Sequence, residues 1–154
     1  MLRDADERAL SRRLVIALVL LTVVLYGRDL TRSTGFSGDS FHHLMNGIFI
    51  FDALHEPRRA LADPLAYATN YYQHYPAVNL GYYMPVFPAI EAAFMMVFGV
   101  SPATGQTAVL FMAVVLTLFS FAWFRLRFDP WWAAGATVLL MSTPQLVLML
   151  VPSA

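Results

Sequence analysis

The side chains best suited to chemistry fall within residues 28–81, which contain Asp39 and all four histidines, His42, His43, His55 and His74. Asp39 opens an apolar periodic stretch. A carboxylate there can accept a proton from an attacking hydroxyl or amine, and Gly38-Asp39-Ser40 also spells a helix cap. The two roles conflict only if backbone N–H groups occupy both carboxylate oxygens. On a helix, neighbouring residues such as His42 and His43 point about 100° apart, so the pair cannot share one metal ion. Asp39 and His42 have a spacing that permits ligation, but an interfacial histidine more often hydrogen-bonds, and no metal or other cofactor is expected. His42 is also suited to meeting a phosphate. The loop cations Arg28, Arg32, Arg58 and Arg59 suit anionic headgroups or a lipid-linked phosphate. Tyr67, Tyr71, Tyr72, Tyr75, Tyr82 and Tyr83 read either as an interfacial belt or as a platform on which sugars stack.

These residues must be positioned by an unusually apolar chain. Of its 154 residues 58% are hydrophobic and 13% charged, against about 25% charged in soluble domains. Lipid is therefore the expected solvent. The formal net charge is zero, which gives no electrostatic reason to expect a nucleic-acid partner. There is no cysteine, which excludes disulfides, thiolate metal sites and a cysteine nucleophile. No Gly-rich phosphate loop, HExxH or GxSxG motif occurs.

A membrane-crossing helix needs roughly 20 mainly apolar residues, and the sequence predicts four spans, at 14–27, 82–99, 106–124 and 131–151. The fourth carries Pro144, expected to kink it. Arg3, Arg8, Arg12 and Arg13 precede the first span and favour a cytoplasmic N-terminus, residues 1–13. That arrangement makes 28–81 an external loop. A secretory signal is the rival reading of the first span, opposed by Asp4, Asp6 and Glu7 in its leading region. The expected fold is thus an all-α, multi-pass protein of the plasma membrane.

Within the loop, Phe41, Leu44, Met45, Ile48 and Phe51 recur at helical spacing, predicting a juxtamembrane amphipathic helix over 40–54 that lies on the bilayer surface. Asp63-Pro64 predicts a second helix start, with Asp63 as cap and Pro64 at the first helical position. Glu91 lies inside the second apolar stretch. A charged residue at the centre of such a helix costs about 2.5 to 3.5 kcal/mol, so Glu91 is expected to face the protein interior or to be protonated, in either a functional or a structural role.

Gly38-Asp39-Ser40-Phe41, His74-Tyr75-Pro76, Tyr82-Tyr83-Met84-Pro85-Val86-Phe87-Pro88 and Phe98-Gly99-Val100-Ser101 follow one another in an order that resembles the N-terminal region of polytopic GT-C glycosyltransferases, the group of protein O-mannosyltransferases and aminoarabinose transferases. The resemblance covers nearly the whole chain and is one of pattern. It implies transfer of a sugar from a polyprenyl-phosphate donor to an acceptor on the external face. Asp39 matches the essential acidic position of the first external loop. His42, His43, His74, Tyr82, Tyr83, Arg58 and Arg59 are the candidates for binding substrate. The chain departs from the pattern at Ser40, where many relatives have a second acidic residue, and at Tyr83-Met84, where aminoarabinose transferases have an acidic-basic pair. Such enzymes are several times longer, so a truncated N-terminal portion is expected. The competing readings are a non-catalytic multi-pass module or assembly partner and, because of Glu91 and Pro144, a fragment of a transporter.

Overall fold

A computed structural model describes residues 2–28 and 39–143. All regular structure among them is α-helical: α1 Leu2–Tyr26, α2 Asp39–His55, α3 Pro57–Ala62, α4 Pro64–His74, α5 Val86–Phe98, α6 Pro102–Arg125 and α7 Pro130–Met141. The chain divides into two compact units, one of Met1–Arg32 with Val109–Ser153 and the other of Ser33–Ala108, the boundary falling inside α6.

In the first unit, α1 and α6 are long and apolar enough to cross a membrane, over Asp6–Tyr26 and Pro102–Arg125. Only 17% and 28% of their most apolar windows are buried, so most of the apolar surface of both is left uncovered by the rest of the chain. α1 starts well before the expected residue 14. Its leading stretch holds four arginines with Ala5, Glu7, Ala9 and Leu10, good helix formers that continue the helix despite their charge, and Asp4 and Asp6 suit the first turns of a helix. α7 ends at Met141, its backbone closing on Ser142 and Thr143. The residue before a proline is disfavoured in the α region, which stops a helix ahead of Pro144. Pro144 and Val151 themselves lie outside the described residues. Asp129 caps α7 by accepting from the N–H groups of Trp131 and Trp132, at 2.9 and 3.2 Å, with Pro130 at the first helical position.

This unit packs in two layers. Leu18, Phe121, Ala133 and Ala134 form one, and Tyr26, Ala113 and Met141 the other. The buried alanines let backbones approach, and buried hydroxyls link the helices, as in membrane interiors. Thr22 and Thr117 lie 2.9 Å apart across α1 and α6, and each also lies 2.9 Å from a carbonyl one turn back, of Leu18 and Ala113. Each hydroxyl has one proton, so one threonine donates to the other and leaves its own carbonyl. Tyr26 donates its hydroxyl to the Met141 carbonyl, satisfying an acceptor that the end of α7 leaves without an intrahelical partner.

In the second unit α2 packs along α5. His43 meets Phe87 near the start of both helices, and Gly47 meets Glu91 one turn later, so the two helices run in the same direction. α3, α4 and the turns through Pro85 carry the chain back between them. The buried Asn46 fixes this return: its side-chain oxygen accepts from the Asn79 N–H at 2.8 Å, and its NH2 donates to the Asn79 carbonyl at 3.4 Å. The expected surface stripe of α2 is divided. Leu44 is buried, Phe41 is exposed, and the face that meets α5 carries His43 and Gly47. Asp63 caps α4 by accepting from the Ala66 N–H at 3.0 Å, with Pro64 at the first helical position. α5 begins at Val86, behind Pro85, and its 13 residues rise roughly 20 Å.

Candidate functional site

The expected site residues sort into two groups within the second unit. The first gathers at the start of α2. Asp39 is the first residue of this helix, while its side chain lies outside the described residues. One turn on, His42 Nδ1 lies 2.5 Å from the Ala77 carbonyl. A carbonyl only accepts, so the proton is on Nδ1, and Nε2 of the neutral ring is left as an acceptor. The His42 ring stacks on Tyr83, with centroids 6.0 Å apart and planes at 25°. Tyr83 also lies 4.5 Å from His43, whose ring meets the edge of Phe87 at 5.4 Å. Tyr82, 77% exposed, stands edge-on to Tyr83 at 4.9 Å. The Asn46–Asn79 clasp holds the return segment in place, so that residues some forty positions apart in the chain meet.

Glu91 lies one turn beyond Phe87 on α5 and is 2% exposed. As expected, it faces the interior. Its Oε2 has no hydrogen-bond partner among the described residues, and it sits against the α2 backbone at Gly47.

The second group occupies a cleft of about 370 Å³ between the C-terminal half of α2 and α3–α4. Here Tyr71 donates its hydroxyl to Asp52 Oδ2 at 2.7 Å, and Arg59 pairs with Glu56 at 3.2 Å. His74 Nδ1 donates to the Asn70 carbonyl at 2.8 Å. Phe49, Tyr67, Tyr71 and Tyr75 form a run of ring contacts between 5.0 and 6.1 Å. Burial first, and then the bond to the Asp52 carboxylate, push the Tyr71 hydroxyl well above its ordinary pKa. Tyr67 is raised by burial and then by the charges of Asp52 and Glu56, partly offset by Arg59.

The structure therefore separates the candidates. His42, His43, Tyr82 and Tyr83 come together. His74 and Arg59 line the cleft, nine or ten residues further along α2 from the imidazoles, roughly 14 Å at the helical rise. Arg58 is exposed beside His55 on α3. Asp52 is absent from the sequence-based candidates, and Tyr71 enters them only as one of the tyrosine run. Their signal was present: Asp52 interrupts an apolar run, with Glu56 and Arg59 following at four- and three-residue spacing. No three His, Asp or Glu side chains cluster in a way that could hold a metal among the described residues. No known family model matches the chain, and it has no match among curated proteins or solved structures.

Proposed function

We propose that the chain belongs to a multi-pass membrane glycosyltransferase that moves a sugar from a polyprenyl-phosphate carrier to an acceptor at the external face of the plasma membrane. The observation that carries this reading is the meeting of His42, His43, Tyr82 and Tyr83 one turn from Asp39, in a chain with two span-length apolar helices. α5 covers most of the second span, and α7 covers the first half of the fourth. The N-terminal arginines hold their end in the cytoplasm.

In this mechanism the Asp39 carboxylate takes the proton of the acceptor hydroxyl as its oxygen attacks the anomeric carbon. The bond from that carbon to the phosphate oxygen breaks, the configuration inverts, and the polyprenyl phosphate leaves with the bonding electrons. Cations near the donor stabilise the departing charge; Arg58 and Arg59, at the other end of α2 from Asp39, are too far along the helix to do so in this step. His42 has two distinct possibilities, because Ala77 already holds its Nδ1 proton. As imidazolium it donates to the phosphate through Nε2; as neutral imidazole it accepts from a hydroxyl.

Asp39→Asn is expected to abolish transfer from a polyprenyl-phosphate-sugar in membrane vesicles, with insertion into the membrane unchanged. Transfer at the parental rate would remove Asp39 from the mechanism. The buried Glu91 favours a second reading, a proton-coupled transport element. Uptake that survives Glu91→Gln would count against that one.

A further inference from the structure

We propose that the cleft of Asp52 and Tyr71 binds a neutral carbohydrate, a pyranose unit, at a place separate from the His42–Tyr83 group. The inference does not depend on the transfer reading. It starts from what the walls refuse. The lining carries two carboxylates, Asp52 and Glu56, and one guanidinium, Arg59, so an anionic ligand is disfavoured; Glu56 is paired with Arg59 at 3.2 Å, and Asp52 is engaged by the Tyr71 hydroxyl. A purely apolar ligand would strip water from a carboxylate, an amide and a guanidinium without replacing their hydrogen bonds. The walls suit a neutral molecule with many hydroxyls and an apolar C–H face.

The cleft presents both halves of that recognition. Asp52 accepts from Tyr71 through Oδ2, which leaves Oδ1 for a ligand hydroxyl. Asn70 supplies an amide with donors and an acceptor together, and the guanidinium of Arg59 has donors beyond the one bonded to Glu56. Tyr67, Tyr71 and Tyr75 add aromatic surface on which sugar C–H bonds can lie. Tyr67 packs against Phe49 at a centroid distance of 5.7 Å and Tyr71 is held by its bond to Asp52, so both rings are positioned before any ligand arrives. The volume of about 370 Å³ falls at the lower end of small-molecule sites, about 300 to 1,000 Å³, which suits one ring rather than a long glycan. The cleft is open to water, so binding in the millimolar range is expected.

The test is saturation-transfer NMR on the whole chain, purified in a detergent without a sugar headgroup, with methyl glycosides of glucose, mannose and galactose. At least one glycoside should show saturable transfer, strongest at the C–H protons of one ring face. Tyr67→Ala should weaken it by about tenfold or more and Tyr67→Phe should retain it, since stacking needs the ring and not the hydroxyl. Asn70 is exposed, so Asn70→Ala keeps the fold, checked by circular dichroism, and should weaken binding about tenfold. Absence of saturable transfer from all three glycosides would overturn the proposal, as would binding that Asn70→Ala leaves unchanged. So would stronger binding of tetramethylammonium or inorganic phosphate in the same cleft.

Discussion

Gly47 on α2 lies so close to Glu91 on α5 that a Cβ added at the glycine would stand 2.9 Å from the Glu91 Cβ and 3.1 Å from its Oε2. The first is closer than Cβ atoms approach one another in folded proteins; the second would require the carboxylate to give by a few tenths of an ångström. The Glu91 Cβ is fixed to its own backbone, so an added methyl would have to move the helices apart.

Gly47→Ala is accordingly expected to destabilise the second unit. Overpacking of this kind costs about 1–3 kcal/mol, and the better helix propensity of alanine returns up to about 1 kcal/mol. A net loss of about 1 kcal/mol should lower the thermal midpoint read by circular dichroism. A raised midpoint would show that the seam is looser than the geometry implies.

Tyr71→Phe removes the donor to Asp52. Hydrogen bonds to charged groups contribute about 1.5–3 kcal/mol, but this pair is only half-buried and water can replace the hydroxyl, so about 1 kcal/mol is expected. The Tyr71 pKa is raised in the folded state, so its contribution is complete below the ordinary tyrosine value and is lost as pH rises through the folded one. The stability gap between the parent and the phenylalanine variant should therefore be constant at neutral pH and close in strong alkali. Ultraviolet titration should show that the variant lacks one late-ionising tyrosine. A gap that widens with pH would contradict the assignment.

Thr22 and Thr117 invite a double-mutant cycle. Replacing each by valine keeps the shape and removes the hydroxyl. Interhelical hydrogen bonds in membrane proteins average about 0.6 kcal/mol of coupling, and a value of that order is expected from unfolding titrations of Thr22→Val, Thr117→Val and the pair. Zero coupling would mean that each hydroxyl keeps its proton on its own helix, toward Leu18 and Ala113.

The parts of this architecture that sequence exposes are the local ones. The apolar run of α6 spells its own helix, and Asp63-Pro64 announces the cap of α4 because capping depends on residues within one turn. The early start of α1 is hidden because hydropathy follows the lipid-facing stretch, while the helix follows backbone propensity through Arg8, Arg12 and Arg13. Pairing of α2 with α5 leaves no local trace, since Gly47 and Glu91 are 44 positions apart and a glycine in a helix reads only as a weakness. The apolar periodicity of α2 predicts a surface helix, whereas its contact with α5 is made at a small residue. The cleft is hidden in a similar way. Tyr67, Tyr71 and Tyr75, spaced four apart, merge with the tyrosines around them into one aromatic run, and Asp52 is lost among apolar neighbours.

The shared direction of α2 and α5 has an electrical consequence. Antiparallel neighbours cancel their backbone dipoles, whereas two helices pointing the same way add theirs, so both amino ends place their partial positive charges on the side where His42 and Tyr83 meet. The like ends repel one another. The close seam at Gly47 must supply the attraction that keeps them together, and the field it preserves there is one that draws negative charge.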